Sequence, residues 1–121
     1  FHKESGSLDI ALADGSGDEI YLAAVEQGMS AALNGSEPDL VIFLAGADPY
    51  QGDKLGRMAV SKAGLRARDR LVLETCRAQG IPLAIVLSGG YARDIQDTVD
   101  IHYHTIRLAA EIYREVGDDR L

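Results

Sequence analysis

The sequence predicts an α/β fold in which a parallel sheet carries helices on both faces. Two observations predict it. Residues 40–44 (LVIFL) and 82–87 (PLAIVL) are apolar without alternation, the pattern of parallel strands covered on both sides. Before, between and after them, apolar residues recur at three- and four-residue spacing, the signature of amphipathic helices. The resulting order of helix, strand, helix, strand, helix is that of an α/β sheet.

Residues 8–12 (LDIAL) read as a short strand or an extended lead-in. Asp14-Gly15-Ser16-Gly17-Asp18 is turn material, with Asp18 placed to cap a helix. Tyr21, Val25, Gly28, Met29 and Ala32 mark one face of that helix, and Asn34-Gly35 is expected to end it. Pro38 blocks a helical continuation and the first strand follows. A polar loop then runs from Ala45 to about Ala59. Ser61 is expected to cap the second helix, which buries Leu65, Val72 and Cys76 and turns Arg66, Arg68 and Arg70 to solvent. Gly80 stops it. The second strand is cut by Ser88-Gly89-Gly90-Tyr91, and the last helix is expected to bury Ile95, Val99, Ile106, Ala109 and Tyr113.

A chain of 121 residues with 46% hydrophobic and 26% charged residues suits one globular domain. Its net charge of −7 argues against direct nucleic-acid binding, which needs a basic face. No apolar run approaches the roughly 20 residues that cross a bilayer, so no membrane partner is expected. The one cysteine, Cys76, fits a small core residue and a reducing compartment, which points to the cytoplasm. The chain begins with Phe1 rather than Met, so either processing has removed something or this is a piece of a longer protein.

In open α/β sheets ligands gather beyond the carboxyl ends of the strands. Gly46-Ala47-Asp48-Pro49-Tyr50 follows one strand and Ser88-Gly89-Gly90-Tyr91 the other. Parallel strands would put a carboxylate and a phenol on the same rim. The first could ligate a metal or act as a base; the second could donate to a developing oxyanion. Turn formation explains an isolated Asp equally well. A further alternative is a non-catalytic binding or interaction module, with an anion cradled by Ser88-Gly89-Gly90 at a helix start.

At these two clusters the chain resembles the histone deacetylase superfamily, which includes acetoin-utilisation proteins and acetylpolyamine amidohydrolases. The similarity is carried by PDLVIFLAGADPYQGDKLGRMAVSKAGL and IPLAIVLSGGY, with LDIALADGSGDEIYLAAV ahead of them. It covers roughly residues 8–108 and matches the C-terminal part of such domains, so residues 1–121 are expected to be the C-terminal portion of a zinc-dependent deacetylase domain. The resemblance implies a partial arginase–deacetylase fold. It implies that Asp48 is a zinc ligand and that Tyr91 donates to the scissile carbonyl. Gly89 and Gly90 would line the substrate channel, while Asp53 and Gly56, in the GDxLG stretch, would support the metal loop. The implied reaction is hydrolysis of acetyl-lysine in a protein, or of a small acetyl amide, with zinc as cofactor.

The family takes its other two ligands from an Asp-x-His motif on an earlier strand and its base from two adjacent histidines. Neither motif is expected in this chain. His102 and His104 stand two apart on a helix and so point to different faces. His102 is expected as a hydrogen-bonded core residue and His104 as a solvent-facing one; His2 lies in the polar start. The chain alone is therefore expected to bind zinc weakly, to be inactive, and to self-associate through surfaces that a larger sheet would cover.

Overall fold

The computed structural model describes residues 8–117. Its elements are α1 (Asp18–Ser36), β1 (Val41–Gly46), α2 (Lys62–Ala78), β2 (Leu83–Ser88) and α3 (Ile95–Gly117). The predicted order holds, and both strands lie within two residues of their expected bounds. Residues 8–12 take neither helix nor strand, which leaves the lead-in reading.

β1 and β2 are parallel neighbours in register from Val41 opposite Leu83 to Gly46 opposite Ser88. One face of this pair is packed. Leu83 and Ile85 sit against Leu73 of α2 and Leu108 and Ile112 of α3. A second cluster joins Ala47, Val60, Leu65 and Ile101 beneath the loop after β1, with Tyr21 and Tyr50 packed on it. The other face is bare: Ile42, Leu44 and Val86 are 63%, 65% and 44% exposed. The described residues thus cover the sheet on one side, and the expected second layer is not among them. Unalternating strands reflect a protein in which both faces are normally dry.

Local chemistry explains the helix ends. The Ser61 hydroxyl accepts from the Gly64 N–H at 3.0 Å, the expected cap of α2. Gly80 follows α2 with φ +68°, where an L residue would be strained. Asp18 departs from its expected role. Gly17 occupies the cap position of α1 without a side-chain bond, and the Asp18 carboxylate accepts from the Ser61 N–H at 2.7 Å and from its hydroxyl. It joins the starts of two helices. Asn34-Gly35 does not end α1; Glu37, in the left-handed region at φ 45°, does.

α3 also departs from expectation. Its buried residues are Ile101, Thr105, Leu108 and Ile112, whereas Ile95, Val99 and Ile106 are 78%, 52% and 48% exposed. The helix carries two apolar stripes, and only one meets this sheet. Cys76 is fully buried, and that burial pushes its thiol pKa up. No described helix is long and apolar enough to cross a membrane.

Candidate active site

The register puts Gly46 opposite Ser88, and the Ala47 N–H donates to the Ser88 carbonyl at 3.1 Å. The loops bearing Asp48 and Tyr91 therefore leave the same end of the sheet. Asp48 is exposed, and its carboxylate lies across the ends of both strands. A β-carbon built on Gly46 would stand 2.6 Å from Asp48 Oδ1, and one on Gly89 3.2 Å from it. The two glycines make room for the carboxylate. Gly89 and Gly90 have φ +65° and +114°, backbone that glycine takes without strain.

Asp53 fastens one loop to the other. Its carboxylate is buried and accepts three backbone N–H groups: Leu55 at 2.8 Å, Gly56 at 2.9 Å and Tyr91 at 2.7 Å. The Lys54 N–H donates to the Tyr91 carbonyl at 2.9 Å, and the Arg93 N–H to the Gly52 carbonyl at 2.9 Å. Gly56 packs so closely on the Asp48 carbonyl that a β-carbon would collide with it. Tyr91 itself is 60% exposed, so its phenol faces outward from a backbone held on both sides.

Replacing Asp53 with Asn turns one of its oxygens into an N–H donor, which must face a backbone N–H. The expected cost is about 1–3 kcal/mol, with faster amide exchange at residues 53–56 and 91. Urea unfolding and hydrogen exchange measure the two.

Tyr50, on the same loop as Asp48, is turned to α3. It is half-buried and donates to Asp97 Oδ2 at 3.1 Å. Burial, then the Asp97 carboxylate, raises its pKa. Lys62 bridges Asp97 at 2.6 Å and Asp100 at 3.1 Å. That ammonium lowers the Asp97 pKa, while Gln96 and then Lys62 lower that of Asp100.

A buried ion pair underpins the end of β1. Arg68 Nη2 meets Asp69 Oδ1 at 2.9 Å, and both side chains are almost fully buried. Arg68 Nη1 donates to the Gly46 carbonyl at 2.6 Å and to Tyr21 Oη at 3.3 Å. Its guanidinium also lies 5.5 Å from the centre of the Phe43 ring. The Thr105 hydroxyl donates to Asp69 Oδ2. The expectation that Arg68 is solvated is therefore wrong; it is 3% exposed. The spacing of Leu65, Val72 and Cys76 already placed residues 68 and 69 on the buried stripe, and their polarity concealed it. Arg66 and Arg70 are exposed, as expected.

Residues 2–106 match the histone deacetylase domain. The chain belongs to the histone deacetylase family. An uncharacterized protein of Picosynechococcus is 41% identical over 111 residues, 92% of this chain and 37% of that protein. Histone deacetylase 2 of Arabidopsis thaliana is 34% identical over 95 residues, 75% of this chain and 24% of that protein. A crystal structure of acetylpolyamine aminohydrolase from Burkholderia pseudomallei aligns with TM-score 0.72 at 21% identity, over 87% of this chain and 29% of that one. It shares the fold, so the sheet and helices here are part of an arginase–deacetylase architecture. The chain spans well under half the length of each.

Among the described residues the ligand set for a catalytic zinc is incomplete. The described residues contain no group of three His, Cys, Asp or Glu side chains able to hold a metal, whereas a catalytic zinc takes about three protein ligands. Asp48 has the right donor chemistry for one. Contrary to expectation, Asp100-Ile101-His102 does spell Asp-x-His, but it lies on α3 rather than on an earlier strand, and its members diverge. Asp100 pairs with Lys62 and accepts from Gln96 Nε2 at 2.9 Å, while the His102 ring reaches the Gly89 carbonyl. His102 is half-buried and hydrogen-bonded, close to expectation. His104 is half-buried rather than solvent-facing, its ring edge-on to Tyr103 at 5.7 Å. His2 lies outside the described residues. Ser88-Gly89-Gly90 does not open a helix, since α3 begins at Ile95. An anion there would also meet the Asp48 carboxylate, which removes the geometry of the anion-cradle alternative.

Proposed function

We propose that this chain is the C-terminal portion of a zinc-dependent deacetylase that hydrolyses acetyl-lysine or a related acetyl amide. The observation that carries the reading is the placement of Asp48 and Tyr91 on one rim of a family-matched sheet. Asp48 is proposed as one metal ligand; the remaining ligands and the general base come from outside this chain. Zinc, when bound, supplies Lewis-acid polarisation of the acyl carbonyl and a more acidic water.

The chain's own residues do the positioning. Tyr91 presents a hydroxyl that donates to the carbonyl oxygen as negative charge builds on it. The bare backbones of Gly89 and Gly90 let an extended acyl-amine chain pass close to the loop. Asp53 and Gly56 keep the Asp48 and Tyr91 loops in register. Ile42, Leu44 and Val86 form the face on which the rest of the domain packs. The isolated chain, lacking that cover, is proposed to self-associate and to be inactive.

The test is metal and activity measured together on the full-length protein. Wild type should hydrolyse an acetyl-lysine peptide and hold zinc after dialysis. Asp48→Ala should lose both while staying folded by circular dichroism. An Asp48→Ala protein that keeps its zinc and its turnover removes Asp48 from the site.

A further inference from the structure

The loop that carries Tyr91 is pinned from the β1 side by Asp53 and by backbone bonds from Ala47 and Lys54. The Gly89 carbonyl is held by α3. His102 Nε2 lies 3.2 Å from it. A carbonyl only accepts, so Nε2 carries the proton. One turn earlier on the same helix face, Thr98 lies directly under Gly90, where a β-carbon would collide with it. Thr98 and His102, four residues apart, together form a seat for the two glycines.

The ring's other nitrogen, Nδ1, is buried without a hydrogen-bond partner. Such atoms are uncommon and call for a reason. An apolar side chain would fill the space without stranding a nitrogen, so packing alone does not account for an imidazole here. Its hydrogen bond to Gly89 does. A β-carbon on Gly89 would stand 3.2 Å from Asp48 Oδ1, and Gly89 stands two residues before Tyr91.

We propose that His102 is a positioning residue whose Nε2–H holds the Gly89 carbonyl and so fixes the glycine turn that carries Tyr91 beside the Asp48 loop. The catalytic consequence rests on the deacetylase reading above; the structural one does not. Substrate never meets the ring. It acts through the glycine turn, and its loss lets Tyr91 wander from the rim.

The experiment compares wild type, His102→Ala and His102→Gln in the full-length protein; the glutamine retains an N–H that can reach the carbonyl. Hydrogen exchange across residues 88–92 should accelerate roughly tenfold in His102→Ala and return toward wild type in His102→Gln. In parallel, kcat for an acetyl-lysine peptide should fall roughly tenfold in His102→Ala with KM little changed, and recover in His102→Gln. Unchanged exchange at 88–92 in His102→Ala overturns the proposal. So does an equal loss in both variants, which would make the ring a packing element. If wild type hydrolyses no acetyl amide, the deacetylase reading fails, while the exchange comparison still decides the role of His102.

Discussion

Asp69→Ala should destabilise the protein by about 3–5 kcal/mol, the usual cost of breaking a buried ion pair from one side. Arg68 would stay where it is, 3% exposed, with its charge uncompensated. The Thr105 hydroxyl, fully buried, would lose its Asp69 acceptor. A domain stable by about 5–15 kcal/mol has little margin for this. The damage should not stop at stability, because Arg68 also holds the Gly46 carbonyl, and Gly46 lies two residues before Asp48. Urea unfolding of wild type, Asp69→Ala and the double variant Arg68→Met/Asp69→Leu separates the causes. The double variant removes both charges and should cost less than Asp69→Ala alone. If it costs more, the hydrogen bonds to Gly46 and Thr105, rather than the stranded charge, dominate.

Tyr91→Phe should leave folding and metal content intact and lower kcat by about 10²–10³, the effect of deleting one oxyanion donor. The side chain is 60% exposed, so removing its hydroxyl strands no buried partner. The backbone bonds to Asp53 and Lys54 do not involve the ring, so the loop should keep its path. A donor that acts as charge develops should show in kcat and kcat/KM together, with KM nearly constant. Steady-state kinetics on an acetyl-lysine peptide read this directly. A rise in KM at constant kcat would instead make Tyr91 a binding residue.

Much of this arrangement was legible in the chain. The two apolar runs, each ended by glycine-rich turn material, locate both strands, and the parallel order places the loops of Asp48 and Tyr91 on one rim. What stayed hidden was which of several apolar stripes faces the sheet. On α3, Ile95, Val99 and Ile106 repeat at helical spacing as convincingly as Ile101, Leu108 and Ile112, yet they face away. Periodicity gives a direction around the helix axis and says nothing of what lies there. Arg68 and Asp69 were concealed differently. Charged residues are almost never fully buried unless paired, so their polarity outweighed a position on the buried stripe. The joint acceptor role of Asp53 was equally out of reach, because it joins Leu55 and Gly56 to Tyr91, 38 residues away. Resemblance suggested that Asp53 supports the loop; only the fold supplies the three bonds through which it would.

On the proposed reading, one carboxylate and one phenol, delivered by neighbouring parallel strands, form this chain's share of a metal-dependent hydrolase. The most direct test is anomalous X-ray diffraction at the zinc edge from crystals of the full-length protein. A metal is expected about 2.0–2.2 Å from an Asp48 carboxylate oxygen, on the rim that also bears Tyr91. A bound metal with Asp48 outside its coordination sphere would contradict that reading.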